Sequence, residues 1–101
     1  MKRNGIKLNN IRISKNKYNE LKYFCAQYDE KKKEAKAGNT QCRQDIDLIE
    51  QTAIMADRDI YPYILKNVTE KIPYEYMDVP CGRRKFYEAR RIFFSLLAEK
   101  R

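Results

Sequence analysis

From Lys17 onward the apolar residues of this chain recur at three- and four-residue intervals, the spacing of one helix face. Leu21, Phe24, Cys25 and Tyr28 share such a face in a helix predicted over residues 17–36, which runs on into the charged stretch DEKKKEAKA. Gly38 and Asn39 tolerate the left-handed C-cap conformation and close it. Thr40 is placed to cap a second helix, residues 41–56, with Ile46, Ile49, Ala53 and Met55 or Ala56 on its buried side. Asp57 or Asp59 caps a third, near residues 60–68, striped by Tyr61, Ile64, Leu65 and Val68. Its Pro62 falls in the first turn, where a missing N–H costs little. One long helix bent around residues 57–62 is the alternative. Pro73, at a first helical position, starts a short fourth helix reaching Met77 or Asp78. The stretch DVPCG then breaks the chain, because Pro80 disfavours helical geometry at Val79. Gly82 or Cys81 caps the last helix, Arg83 to about Lys100, in which Phe86, Ala89, Phe93, Leu96 and Leu97 form one face. Cys81 and Phe86 have the spacing of a hydrophobic staple. The pattern predicts an all-α fold of four to five helices.

The first sixteen residues, MKRNGIKLNNIRISKN, read differently. Gly5 and the asparagines favour turns, so residues 1–16 are expected to form a basic arm ahead of a single helical domain, residues 17–101. Alternation of Ile6 with Leu8 and of Ile11 with Ile13 leaves a short strand open. A chain of 101 residues buries only a modest core. Self-association as a homodimer is therefore an open expectation, with Phe24 and Tyr28 of the first helix as its interface. No apolar run approaches the roughly 20 residues that span a bilayer, and the basic N-terminus lacks the apolar region of a secretory signal. A cytoplasmic location is expected.

Charge changes the picture more than length does. The net charge is +8, and it is segregated. Residues 1–22 carry seven Lys/Arg against Glu20 alone, and residues 82–101 carry seven against Glu88 and Glu99, whereas the middle is slightly acidic. Two basic ends around an acidic scaffold suit a polyanion-binding protein. Catalytic chemistry finds little support. There is no His, and Cys25, Cys42 and Cys81 are widely spaced, which disfavours a zinc site. No Gly-rich phosphate loop, HExxH or GxSxG occurs. No enzyme, metal or cofactor is expected.

The short fourth helix, the Pro/Gly turn and the long basic helix together have the layout of a helix-turn-helix, whose second helix enters the DNA major groove. Opposite its apolar face, the last helix carries Arg83, Arg84, Tyr87, Glu88 and Arg91 in its first turns. Arg binds guanine bidentately, and Arg and Lys bind phosphates. Glu88 either accepts from a cytosine amino group or pairs with Arg84 or Arg91. Arg83, Arg84, Tyr87 and Arg91 are expected to grip the groove, and Lys85 and Arg90 to hold phosphates. Lys2, Arg3, Lys7 and Arg12 of the arm would track the backbone or a minor groove. Tyr74 and Tyr76 flank the turn within reach of phosphates.

The segments YPYILKNVTEKIPYEYM and VPCGRRKFYEARRIFFSLLAEKR, with YNELKYFCAQYDEKK nearer the N-terminus, resemble small proteins encoded by phages and prophages of Gram-positive bacteria. The likeness spans about residues 17–101 and rests on Pro80, Cys81, Gly82, Phe86, Tyr87, Arg90, Arg91, Phe93 and Phe94. It departs at Pro73, where a polar cap is usual, and in a turn longer than that of sigma-like domains. The resemblance implies a DNA-binding regulator of transcription, or a recombination directionality factor that assists excision. Its partners would be double-stranded DNA and a recombinase or RNA polymerase. The alternative is a protein-binding module that inhibits or redirects a recombinase, RNA polymerase or host defence protein.

Overall fold

The computed structural model describes residues 13–101, which form five α-helices and one 3-10 turn with no strand among them. Residues 1–12 of the expected arm, with Lys2, Arg3, Lys7 and Arg12, lie outside the described residues, whereas Ile13 packs against the core and Lys15 and Asn16 are already helical. Helix α1 (Lys15–Ala26) begins two residues before the expected start because Ser14 Oγ accepts the Lys17 amide at 3.0 Å. A single residue, Gln27 (φ −86°, ψ 5°), separates it from α2 (Tyr28–Lys36), so the long first helix of the sequence pattern is two helices. The break has a packing reason. Helix α1 lies against α4 and α5, whereas α2 turns off to pack on α3 and buries no residue of its own.

Gly38 takes the left-handed conformation (φ +106°), as expected at a helix end. The cap of α3 (Thr40–Ala56) is Asn39, whose Oδ1 accepts the Cys42 amide at 3.0 Å, and Thr40 is already helical. Asp57 leaves the helix in an extended conformation, and its Oδ1 gathers the amides of Asp59 (2.9 Å) and Ile60 (3.2 Å) into a tight corner. That corner excludes the single bent helix. Helix α4 (Tyr61–Glu70) follows with Pro62 in its first turn. It ends at Lys71 in the left-handed region (φ 61°), a conformation that costs a side-chain-bearing residue about 1 kcal/mol. Helix α5 (Arg83–Lys100) is the longest and packs on α1, α3 and α4.

The core joins Leu21, Phe24 and Cys25 of α1, Ile49 and Ala53 of α3, Ile60, Ile64 and Val68 around α4, and Phe86, Ala89, Phe93, Phe94 and Leu97 of α5. Phe86 and Phe93 are fully buried, and truncating either to Ala should cost roughly 3–5 kcal/mol. Two sequence expectations are corrected. Met55 is 59 % exposed, because the buried side of α3 is set by Ile46, Ile49, Thr52 and Ala53. Phe24 belongs to the core and offers no free interface: the Lys31 ammonium and the Arg101 guanidinium each lie 3.9 Å from its ring centre. Tyr28, its proposed companion, donates its hydroxyl to Glu50 and so ties α2 to α3. The Lys31–Asp45 pair at 2.8 Å does the same. Burial works to raise the Asp45 pKa, but the hydrogen bonds from Lys31 and Gln41 outweigh it and hold the carboxyl below its ordinary value.

Two outcomes follow from the core. Thr52 Oγ1 is buried with no hydrogen-bond partner among the described residues. Thr52→Val keeps the shape and removes the stranded hydroxyl, so it should stabilise by about 1 kcal/mol and raise the melting temperature by about 4–8 °C in thermal circular dichroism. Burial pushes the Cys25 thiol up to about 12, while Cys42 and Cys81 are only half-buried. Ellman's reagent at mild alkaline pH should titrate Cys42 and Cys81 in the native protein and reach Cys25 only in denaturant.

Candidate nucleic-acid interface

The segment 71–82 aims the start of α5. Pro73 is extended (φ −65°, ψ 154°), Tyr74–Tyr76 make one 3-10 turn, and Met77 is extended again (φ −121°, ψ 150°). The expected fourth helix is thus a single turn. The reason lies in Tyr74, which turns back toward α5 instead of following a straight helix axis. Its hydroxyl donates to the Cys81 carbonyl at 2.7 Å, and its ring meets Phe86 (5.3 Å between centroids) and Tyr87 (6.3 Å). The other end is fixed by Asn67, whose Nδ2 donates to the Ile72 carbonyl at 3.0 Å. A third tie is the Glu75–Arg83 ion pair across the turn.

Gly82 occupies the N-cap, so Cys81 and Phe86 stand in the staple register expected of them. Gly82 has no side chain to satisfy the first amides of α5, which leaves those N–H groups and the positive end of the helix dipole available to an anion. Arg83, Arg84 and Lys85 are exposed around this end. The Arg83 guanidinium lies 5.2 Å from the centre of the Tyr87 ring, which is half-buried against Phe86. One turn on, Glu88 pairs with Arg91 at 2.6 Å, one of the two roles considered for it. Arg83, Arg84, Tyr87, Glu88 and Arg91 line one shallow hollow of about 540 Å³. Arg84 and Lys85 have no partner among the described residues.

The structure brings together Arg83, Arg84, Tyr87 and Arg91 but sends Arg90 elsewhere. Arg90 is half-buried between helices, donating Nε to Asn67 Oδ1 (2.6 Å) and Nη1 to the Tyr18 hydroxyl (3.0 Å), with its guanidinium 4.9 Å from the centre of the Phe94 ring. Its adjacency to Arg91 in sequence conceals a rotation of about 100° around the helix. Tyr74 is taken up by the loop, whereas Tyr76 is 82 % exposed. Glu75 was not anticipated, because an ion pair across an irregular loop leaves no periodic trace in sequence.

No family model, curated protein or solved structure matches this chain. Among the described residues, no group of three or more His, Cys, Asp or Glu is disposed to hold a metal ion, and no helix is long and apolar enough to cross a membrane.

The loop geometry makes a direct prediction. Tyr74→Phe removes the hydroxyl that holds the Cys81 carbonyl and should cost about 1 kcal/mol in urea denaturation. Amide exchange should accelerate across residues 75–82 with little change in α1 or α3; equal acceleration everywhere would show that the bond does not organise the loop.

Proposed function

We propose that the chain binds duplex DNA through the first turns of α5, as a regulator of transcription or of excision in a phage or prophage-like element. The observation that carries this reading is the exposed row Arg83, Arg84, Lys85 and Arg91 on a helix whose opposite face is closed into the core. A helix held so firmly by one side can present the other to a groove without rearrangement. In this reading α4, the bound loop 71–82 and α5 act as a helix-turn-helix with a long turn. Arg84 approaches base edges, and Arg83, Lys85 and Arg91 meet phosphates. The free amides of α5 favour a phosphate at Gly82. Arg90, tied to Asn67 and Tyr18, acts as an internal strut that sets the tilt of α5. The basic arm supplies further phosphate contacts.

Glu75 and Glu88 neutralise two of the arginines, and this favours the second reading, a surface for a recombinase, RNA polymerase or defence protein. DNA binding through about six phosphates loses roughly a thousandfold in affinity between 50 and 200 mM salt, whereas an apolar protein contact changes little.

The test is a gel shift on tiled fragments of the element that encodes the protein, with excess nonspecific competitor. One fragment should shift. Arg84→Ala should weaken that shift about 5- to 100-fold while moving stability by less than about 0.5 kcal/mol. Glu75→Gln, which releases Arg83, should strengthen it. The absence of any competitor-resistant shift, or a shift indifferent to Arg84, would overturn DNA reading by α5.

A further inference from the structure

A second basic region lies away from the α5 hollow. A cleft of about 470 Å³ opens between α1, α4 and α5, within the size range of small-molecule sites, about 300–1,000 Å³. Three cations line it, Lys22, Lys71 and Arg90, and no Asp or Glu does. This sets it apart from the α5 hollow, which Glu88 lines together with the arginines. Arg90 is half-buried, yet its hydrogen-bond partners are an amide oxygen and a phenol hydroxyl, and the rings beside it are neutral. A cation withdrawn from water normally has a counter-ion. Among the described residues none lies within ion-pair distance, and residues 1–12 contain no Asp or Glu to supply one.

Two features on the rim match an anionic ligand with a flat ring. Lys71 stands at a left-handed helix end, a place that glycine fills without strain, and a lysine there puts a charge at the cleft mouth at the expense of the backbone. Tyr23 also lines the cleft and is 68 % exposed, a large aromatic face left open to solvent.

We infer that this cleft binds the phosphate group of a nucleotide-sized ligand, with Arg90, Lys22 and Lys71 on the phosphate and Tyr23 stacked on the ring. Asn67 and Tyr18 pre-set the guanidinium by accepting from Nε and Nη1, which leaves the Nη2 end of Arg90 for the phosphate oxygens. The site is separate from the α5 hollow and does not depend on DNA reading there.

The experiment is a titration of the full chain with AMP and with inorganic pyrophosphate, followed by backbone amide NMR. Both should bind below about 10 mM. The largest shifts should fall around Lys22, Lys71 and Arg90 rather than Arg83 and Arg84. Lys71→Gly separates binding from folding, because it should melt higher than the parent and still bind both probes about fivefold more weakly, the size of one exposed charge contact. Tyr23→Ala should weaken AMP but not pyrophosphate, and Arg84→Ala should leave both unchanged. Absence of binding by either probe, shifts centred on Arg83 and Arg84, or a Lys71→Gly protein with undiminished affinity would each overturn the assignment. AMP binding no tighter than its Tyr23→Ala control would remove the ring from the proposal and refute the nucleotide.

Discussion

Phe86, Phe93 and Leu97 lie on one stripe of α5 and are closed off from solvent completely. Once that stripe is buried, the direction of every other side chain on the helix follows at about 100° per residue. Arg83, Arg84, Lys85 and Arg91 must face outward, and Arg90 must enter the seam beside α1 and α4. In so small a domain few contacts are spare. One apolar stripe therefore supports the fold and, through rotation alone, sorts five neighbouring cations between a convex surface and a cleft.

Much of this was legible in the sequence. The helix-period stripes of Leu21, Ile49, Ile64 and Phe93 all reach the core, and the Gly38 and Gly82 positions end and begin helices as their chemistry requires. Local pattern failed where tertiary contact decides the outcome. Nothing in DEKKKEAKA reveals that α2 departs from α1, since the break at Gln27 serves the packing of α2 on α3. Pro73 is compatible with a helix start, but the bond from Tyr74 to Cys81 turns the chain instead. The α5 surface was readable because a helix face is periodic. The cleft was not, because Lys22, Lys71 and Arg90 come from three parts of the chain and meet only after folding.

The two basic regions differ in kind. Around α5 the arginines are exposed, two are tempered by Glu75 and Glu88, and the hollow they line is open, as suits a long polyanion. Between α1, α4 and α5 the central cation is half-buried and held at fixed angles by Asn67 and Tyr18. Such a group recognises one oxyanion more selectively than it attracts many.

The single-residue joint at Gln27 bears on how the chain can vary in length. Adding or deleting one residue there would rotate α2 by about 100° relative to α1. Tyr28 would leave Glu50, and Lys31 would leave both Asp45 and the Phe24 ring. The turn at residues 37–39, by contrast, is exposed, with Gly38 held in the left-handed conformation at its centre. Related chains should therefore accept insertions between α2 and α3, ahead of the Asn39 cap, while keeping the spacing across Gln27 constant.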